Sequence, residues 1–99
     1  MKEFKALWTG EMVTINNDGL TEMETAVMIA GRNNEFQDIL EDDCTWSFTV
    51  GENAGLDAKQ YRGVFSSLIK KGLAWVDGKR NDEVFGYTEA GKALFSDNR

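Results

Sequence analysis

Between Asp57 and Gly72 the sequence admits one local structure. Asp57 is a side chain suited to capping a helix, and Gln60 stands where a capping partner reaches back. Gly72 closes the stretch behind Lys70 and Lys71. At about 100° per residue, Tyr61, Val64, Phe65, Leu68 and Ile69 gather on one stripe. Lys59, Arg62, Gly63, Ser66 and Lys70 lie opposite. The spacing predicts an amphipathic helix with a core beneath one side. Its outward side carries three cations, a hydroxyl and a glycine, but no acid. Outward faces usually mix signs, so this one hints at contact with an anion; an ordinary solvated face is the plainer alternative.

The rest of the chain bounds what that helix can belong to. Ninety-nine residues make one domain, and 41% apolar residues fill one interior. A formal net charge of -6 argues against a protein that coats nucleic acid or anionic membrane by bulk electrostatics. The charge is unevenly placed. Residues 1–55 hold 11 acids and 3 bases, a net of -8, whereas residues 56–99 hold 6 acids and 8 bases, a net of +2. Histidine is absent, removing the commonest general base and metal ligand, and one cysteine makes neither an internal disulfide nor a thiolate cluster. There is no apolar run long enough for a membrane span and no leader-like opening, so a cytoplasmic, reducing compartment is expected. No nucleophile is paired with a base, so no enzyme and no cofactor are expected.

Residues 1–19 read as an N-terminal extension, either a hairpin, from the alternation of Phe4, Ala6 and Trp8 and of Val13 and Ile15, or a short helix. Asn16-Asn17-Asp18-Gly19 signals a turn. Thr21-Glu22-Met23-Glu24 fits a capping box, predicting a helix over 22–31 that stops at Gly31. A second helix is expected over about 34–42, with Phe36, Ile39 and Leu40 inward. Thr45 to Val50 reads as a short strand, and Gly51 to Gly55 as a loop or one helical turn. Beyond the basic helix, Leu73–Val76 and Val84–Tyr87 suit strands around a polar turn, Thr88 caps a last helix, and residues 96–99 should fray.

Helix, helix, strand, turn, basic helix, strand, polar loop, strand, helix is an order that resembles the winged helix-turn-helix of bacterial or phage regulators. Leu20-Thr21-Glu22-Met23-Glu24 resembles the opening of their first helix. Val64 to Leu73 is similar to their recognition helix running into the wing, and Tyr87 to Leu94 to the threonine-x-x-glycine segment behind it. The resemblance covers residues 20–95. It implies an α+β fold with a three-helix core and a small antiparallel wing, and a sequence-specific regulator of double-stranded DNA, acting as a homodimer. Lys59, Arg62, Ser66 and Lys70 match the outward positions of the recognition helix, with Gln60 and Gly63 beside them. Gly63 reads either as a point of close backbone approach or, more simply, as a tolerated weak spot in the helix. Lys79 and Arg80 match the wing tip.

A rival reading starts from the acidic half. Glu35, Asp38, Glu41, Asp42 and Asp43 could offer carboxylates to a protein partner with a basic surface, with Trp8 as an apolar anchor, in a module that never touches DNA. The spacing lacks the pattern of a calcium loop, so no metal is expected. Cys44 beside Asp42 and Asp43 reads as a structural thiol. Gly51 to Gly55 has no lysine placed to cradle phosphate.

Overall fold

Side-chain caps start the two main helices. The computed structural model describes residues 1–79 and 82–98. Thr21 Oγ1 accepts from the Glu24 backbone N–H at 3.1 Å, and Glu24 accepts from the Thr21 N–H at 2.8 Å, opening α1 (Glu22–Arg32). Asp57 and Gln60 exchange the same pair of bonds at 2.8 and 3.1 Å, opening α4 (Ala58–Lys70). Gly72, at φ 74°, follows α4 in the left-handed conformation, and the Leu73 N–H bonds back to Leu68 O.

In chain order the elements are β1 (Lys2–Lys5), β2 (Met12–Ile15), α1, α2 (Ile39–Asp42), β3 (Cys44–Trp46), α3 (Ser47–Asn53), α4, β4 (Ala74–Asp77), β5 (Val84–Tyr87) and α5 (Glu89–Lys92). The N-terminal segment is a hairpin, β1 pairing antiparallel with β2, rather than a helix. A separate antiparallel sheet has the order β3-β5-β4, with Thr45 opposite Phe85 and Val76 opposite Phe85 on its other side. Helices α1, α3 and α4 close around Val27, Met28, Val50, Val64 and Leu68, while Phe65, Phe85 and Tyr87 join them to the sheet.

Three local expectations give way to tertiary structure. Residues 34–38 are not helical, because the buried Asn34 turns its side chain to the Phe36 N–H at 2.9 Å and to Thr49. The helix therefore starts only after Asp38, which caps Leu40 N, and Phe36 stays exposed. The strand expected through Val50 ends at Trp46. Ser47, Thr49 and Val50 are buried on α3, with Ser47 N bonded to Glu83 O and Thr49 Oγ1 to Trp46 O, so packing overrides β-propensity. Gly31 does not stop α1. Its missing side chain lets Tyr87 and Ile39 approach, and the Tyr87 hydroxyl donates to Met28 O.

The expected fraying also fails for Ser96 and Asp97. Ser96 N bonds to Thr14 O, Ile15 pairs with Phe95, and Asp97 grips Arg32 through two bonds of 2.8 and 2.6 Å. Arg32 is buried, with its guanidinium carbon 5.0 Å from the Phe95 ring centre and 6.0 Å from that of Phe4.

Candidate functional site

Helix α4 is held from below by its apolar stripe and from behind by α3. Tyr61, Val64, Phe65 and Leu68 are buried, whereas Ile69, expected inward, is 40% exposed. Gly51 lies where α3 crosses α4, and a Cβ there would strike the Tyr61 ring. Gly63 is the opposite case, with open space around its missing side chain. Replacing Gly51 with alanine is therefore expected to cost about 2 kcal/mol by overpacking. Gly63→Ala should gain about 0.7 kcal/mol from helix propensity. Urea unfolding of both variants checks the contrast, and equal effects would mean that the crossing tolerates a methyl group.

The outward face of α4 presents Ala58, Lys59, Gln60, Arg62, Gly63, Ser66 and Lys70, all exposed. Among the described residues, no carboxylate lies within ion-pair distance of Lys59, Lys70 or Lys79. Lys79 is exposed on the β4–β5 loop, and Arg80, expected at its tip, lies outside the described residues. The Gln60 side chain is already engaged by the Asp57 N–H.

Arg62 is not independent of the protein's own carboxylates. Its Nη1 donates to both oxygens of Glu83 at 3.3 Å, and its side chain keeps 52% exposure. Glu83 is buried at the foot of β5 and accepts a 2.7 Å bond from Ser47 Oγ at the start of α3. One carboxylate thus joins α3, α4 and the wing. Phe65, Ile69 and Val76 lie behind it, and with Arg62, Ser66 and Glu83 they line a cleft of about 210 Å³ between helix and wing.

At the end of α4, two side chains reach back to α1. Lys71 Nζ donates to Glu24 at 2.7 Å and to Gly19 O at 2.9 Å, and Ser67 Oγ donates to the other Glu24 oxygen at 2.6 Å. Burial by itself raises the Glu24 pKa. The bonds from Lys71, Ser67 and the Thr21 backbone outweigh it and hold the carboxyl down at about 2.

The acidic surface is only partly as expected. Glu35, Glu41 and Asp42 are exposed, but Asp38 is buried, because it caps α2 and stands 3.5 Å from Arg32 Nε; it is not available to a partner. Trp8 is 51% exposed with its indole N–H on Asn34 O, and Leu7 and Phe36 are exposed beside it in the hairpin turn and the α1–α2 loop. Sequence reasoning missed Arg32 and Glu83. Arg32 stands one turn after Met28 on the apolar side of α1, which is a detectable signal. Nothing in the order of residues singles out Glu83 among the acids of its loop.

A helix-turn-helix formed by α3 and α4, with α1 behind it and an antiparallel β3-β5-β4 sheet extending from it, is a winged helix-turn-helix. Solved structures bear this out. Over 82% of this chain, Bordetella bronchiseptica BpsR, in a structure concerned with regulation of its DNA binding by 6-hydroxynicotinic acid, is similar at 24% identity and a TM-score of 0.61. The transcriptional regulator PA4135 is similar over 79% of the chain, at 21% identity and a TM-score of 0.57. The chain spans 58% and 54% of these two proteins, and at such identities the likeness establishes the fold. The chain matches no family model and no curated protein. Among the described residues there is no group of three or more potential metal ligands, and no helix long and apolar enough to cross a membrane.

Proposed function

We infer that this chain is a DNA-binding transcriptional regulator of the cytoplasm, not an enzyme, which places α4 in the major groove of a duplex and the β4–β5 loop on the flanking backbone. The observation that carries this reading is the face of α4, where Lys59, Arg62 and Lys70 stand exposed on a helix without an acid. Lysines at such positions gain affinity by releasing counterions from phosphate, and arginine reads guanine. The similarity in fold to BpsR and PA4135 supports the same reading. A single copy offers few contacts, so specific binding would use a two-fold dimer on repeated half-sites. The acidic half of the chain would hold it off non-specific sites, leaving the local face of α4 to decide affinity.

Fluorescence anisotropy with mixed-sequence duplex at several salt concentrations tests this. Affinity should fall steeply with salt. The variant Lys59→Ala/Lys70→Ala should bind at least tenfold more weakly at low salt, with a log–log slope shallower by about 2. Absence of any duplex binding by the wild-type chain at low salt would overturn the reading.

A second reading rests on the exposed Leu7, Trp8 and Phe36 together with the exposed acids Glu35, Glu41 and Asp42 of the α1–α2 loop and α2. This surface suits a basic, partly apolar protein segment. In that case Glu35→Lys/Glu41→Lys abolishes a protein interaction and leaves duplex binding unchanged.

A further inference from the structure

We propose that the cleft between α4 and the wing is a base-reading site, in which Glu83 positions Arg62 for guanine and the apolar floor takes the methyl group of a neighbouring thymine. The inference rests on the duplex-binding reading above and assigns part of its sequence preference. Three observations lead to it. Arg62 is the one arginine on the outward face of α4, and its guanidinium is paired, with Nη1 on both oxygens of Glu83 at 3.3 Å. Glu83 is itself fixed by Ser47 Oγ at 2.7 Å and by burial. Beside the guanidinium and the Ser66 hydroxyl, the cleft exposes Ile69 and Val76 over Phe65 as an apolar floor.

The chemistry follows from the donor geometry. A guanidinium has five N–H donors in a planar fork. With Nη1 on Glu83, the edge formed by Nε and Nη2 has no protein partner among the described residues. Two parallel donors on one edge match the N7 and O6 acceptors that guanine shows in the major groove. The same fork also matches two oxygens of a phosphate, so it is the apolar Ile69 and Val76 beside it that favour a base edge. A buried carboxylate behind the fork costs generic affinity by cancelling charge. What it provides instead is orientation. The C5 methyl of thymine is the one apolar group on the major-groove edge of a base, and Ile69 and Val76 are where it would be covered.

Selection from a randomised duplex pool tests the proposal. The wild-type chain should enrich a guanine with an adjacent thymine, preferring that guanine at least tenfold over the other bases. Arg62→Ala should lose both this preference and affinity. Glu83→Ala should lose the preference while binding mixed-sequence duplex as tightly as wild type or tighter, which a merely structural role would not produce. Glu83→Gln, which keeps the shape, covers the case in which the alanine variant fails to fold. A further arm needs no variant. Replacing the selected thymine by uracil should weaken wild-type binding about fourfold, the worth of one buried methyl, and should leave an Ile69→Ser variant unaffected. A guanine preference that survives in both Glu83 variants overturns the positioning role, and indifference to uracil overturns the floor contact. Duplex binding without any guanine preference sinks this inference alone, whereas no binding to any duplex sinks the regulator reading with it.

Discussion

Asp97→Ala is expected to destabilise the protein by about 3–4 kcal/mol, since it strands a buried guanidinium without its principal partner. The Arg32 side chain is 2% exposed and both of its bonds to Asp97 are short, at 2.8 and 2.6 Å. Its remaining carboxylate neighbour, Asp38, is 3.5 Å from Nε and committed to capping α2. A loss of this size lowers the melting temperature of a domain of this length by roughly 15–25 °C. The companion experiment is a double-mutant cycle. Arg32→Met/Asp97→Ala should recover part of the loss, because an apolar side chain between Phe4 and Phe95 needs no counter-charge. Should Asp97→Ala cost less than about 1 kcal/mol, the pair is a surface contact in energetic terms.

Acid should act through Glu24. Its folded pKa of about 2 lies below the ordinary 4.5, so the folded state holds its proton less tightly than the unfolded chain. The stability this supplies is fully present above pH 4.5 and is lost as pH falls from there toward 2. The whole contribution is about 3 kcal/mol. Thermal melts of wild type and Glu24→Gln, taken from neutral pH downward, should differ most at neutral pH and converge at the acid end. Because Ser67 lies on α4 and Lys71 caps its end, the same titration loosens α4 from α1. A gap between the two melts that stays constant with pH would show that the ionised carboxylate is not what holds them together.

Local signals were legible where side chains act on their own backbone. Both capping boxes, the Gly72 stop, the Asn-rich turn and the stripe of α4 depend on neighbours within a turn of helix, and sequence order displays such neighbours directly. Legibility failed where a distant residue decides. Thr45 to Val50 carries strand-forming residues, yet Ser47 to Val50 are helical because α3 must pack on α1 and α4. Asn34 breaks a helical pattern by bonding Thr49, fifteen residues on. In the candidate site, the cations were visible from periodicity, because exposure on an amphipathic helix is a matter of phase. The partner of Arg62 was not, because Glu83 is brought to it by strand pairing across the wing.

The N-terminal hairpin has a consequence for solubility. On one side β2 is covered by β1, and on the other residues 94–96 bond to Thr14, Ile15 and Asn16, so within the hairpin it is β1 that keeps an unpaired edge. That edge carries Lys2, Glu3 and Lys5 on its exposed positions, with only Phe4 turned inward. Charged side chains along a short border strand discourage another chain from zippering onto it, so this open edge is guarded against fibrous aggregation by its own sequence.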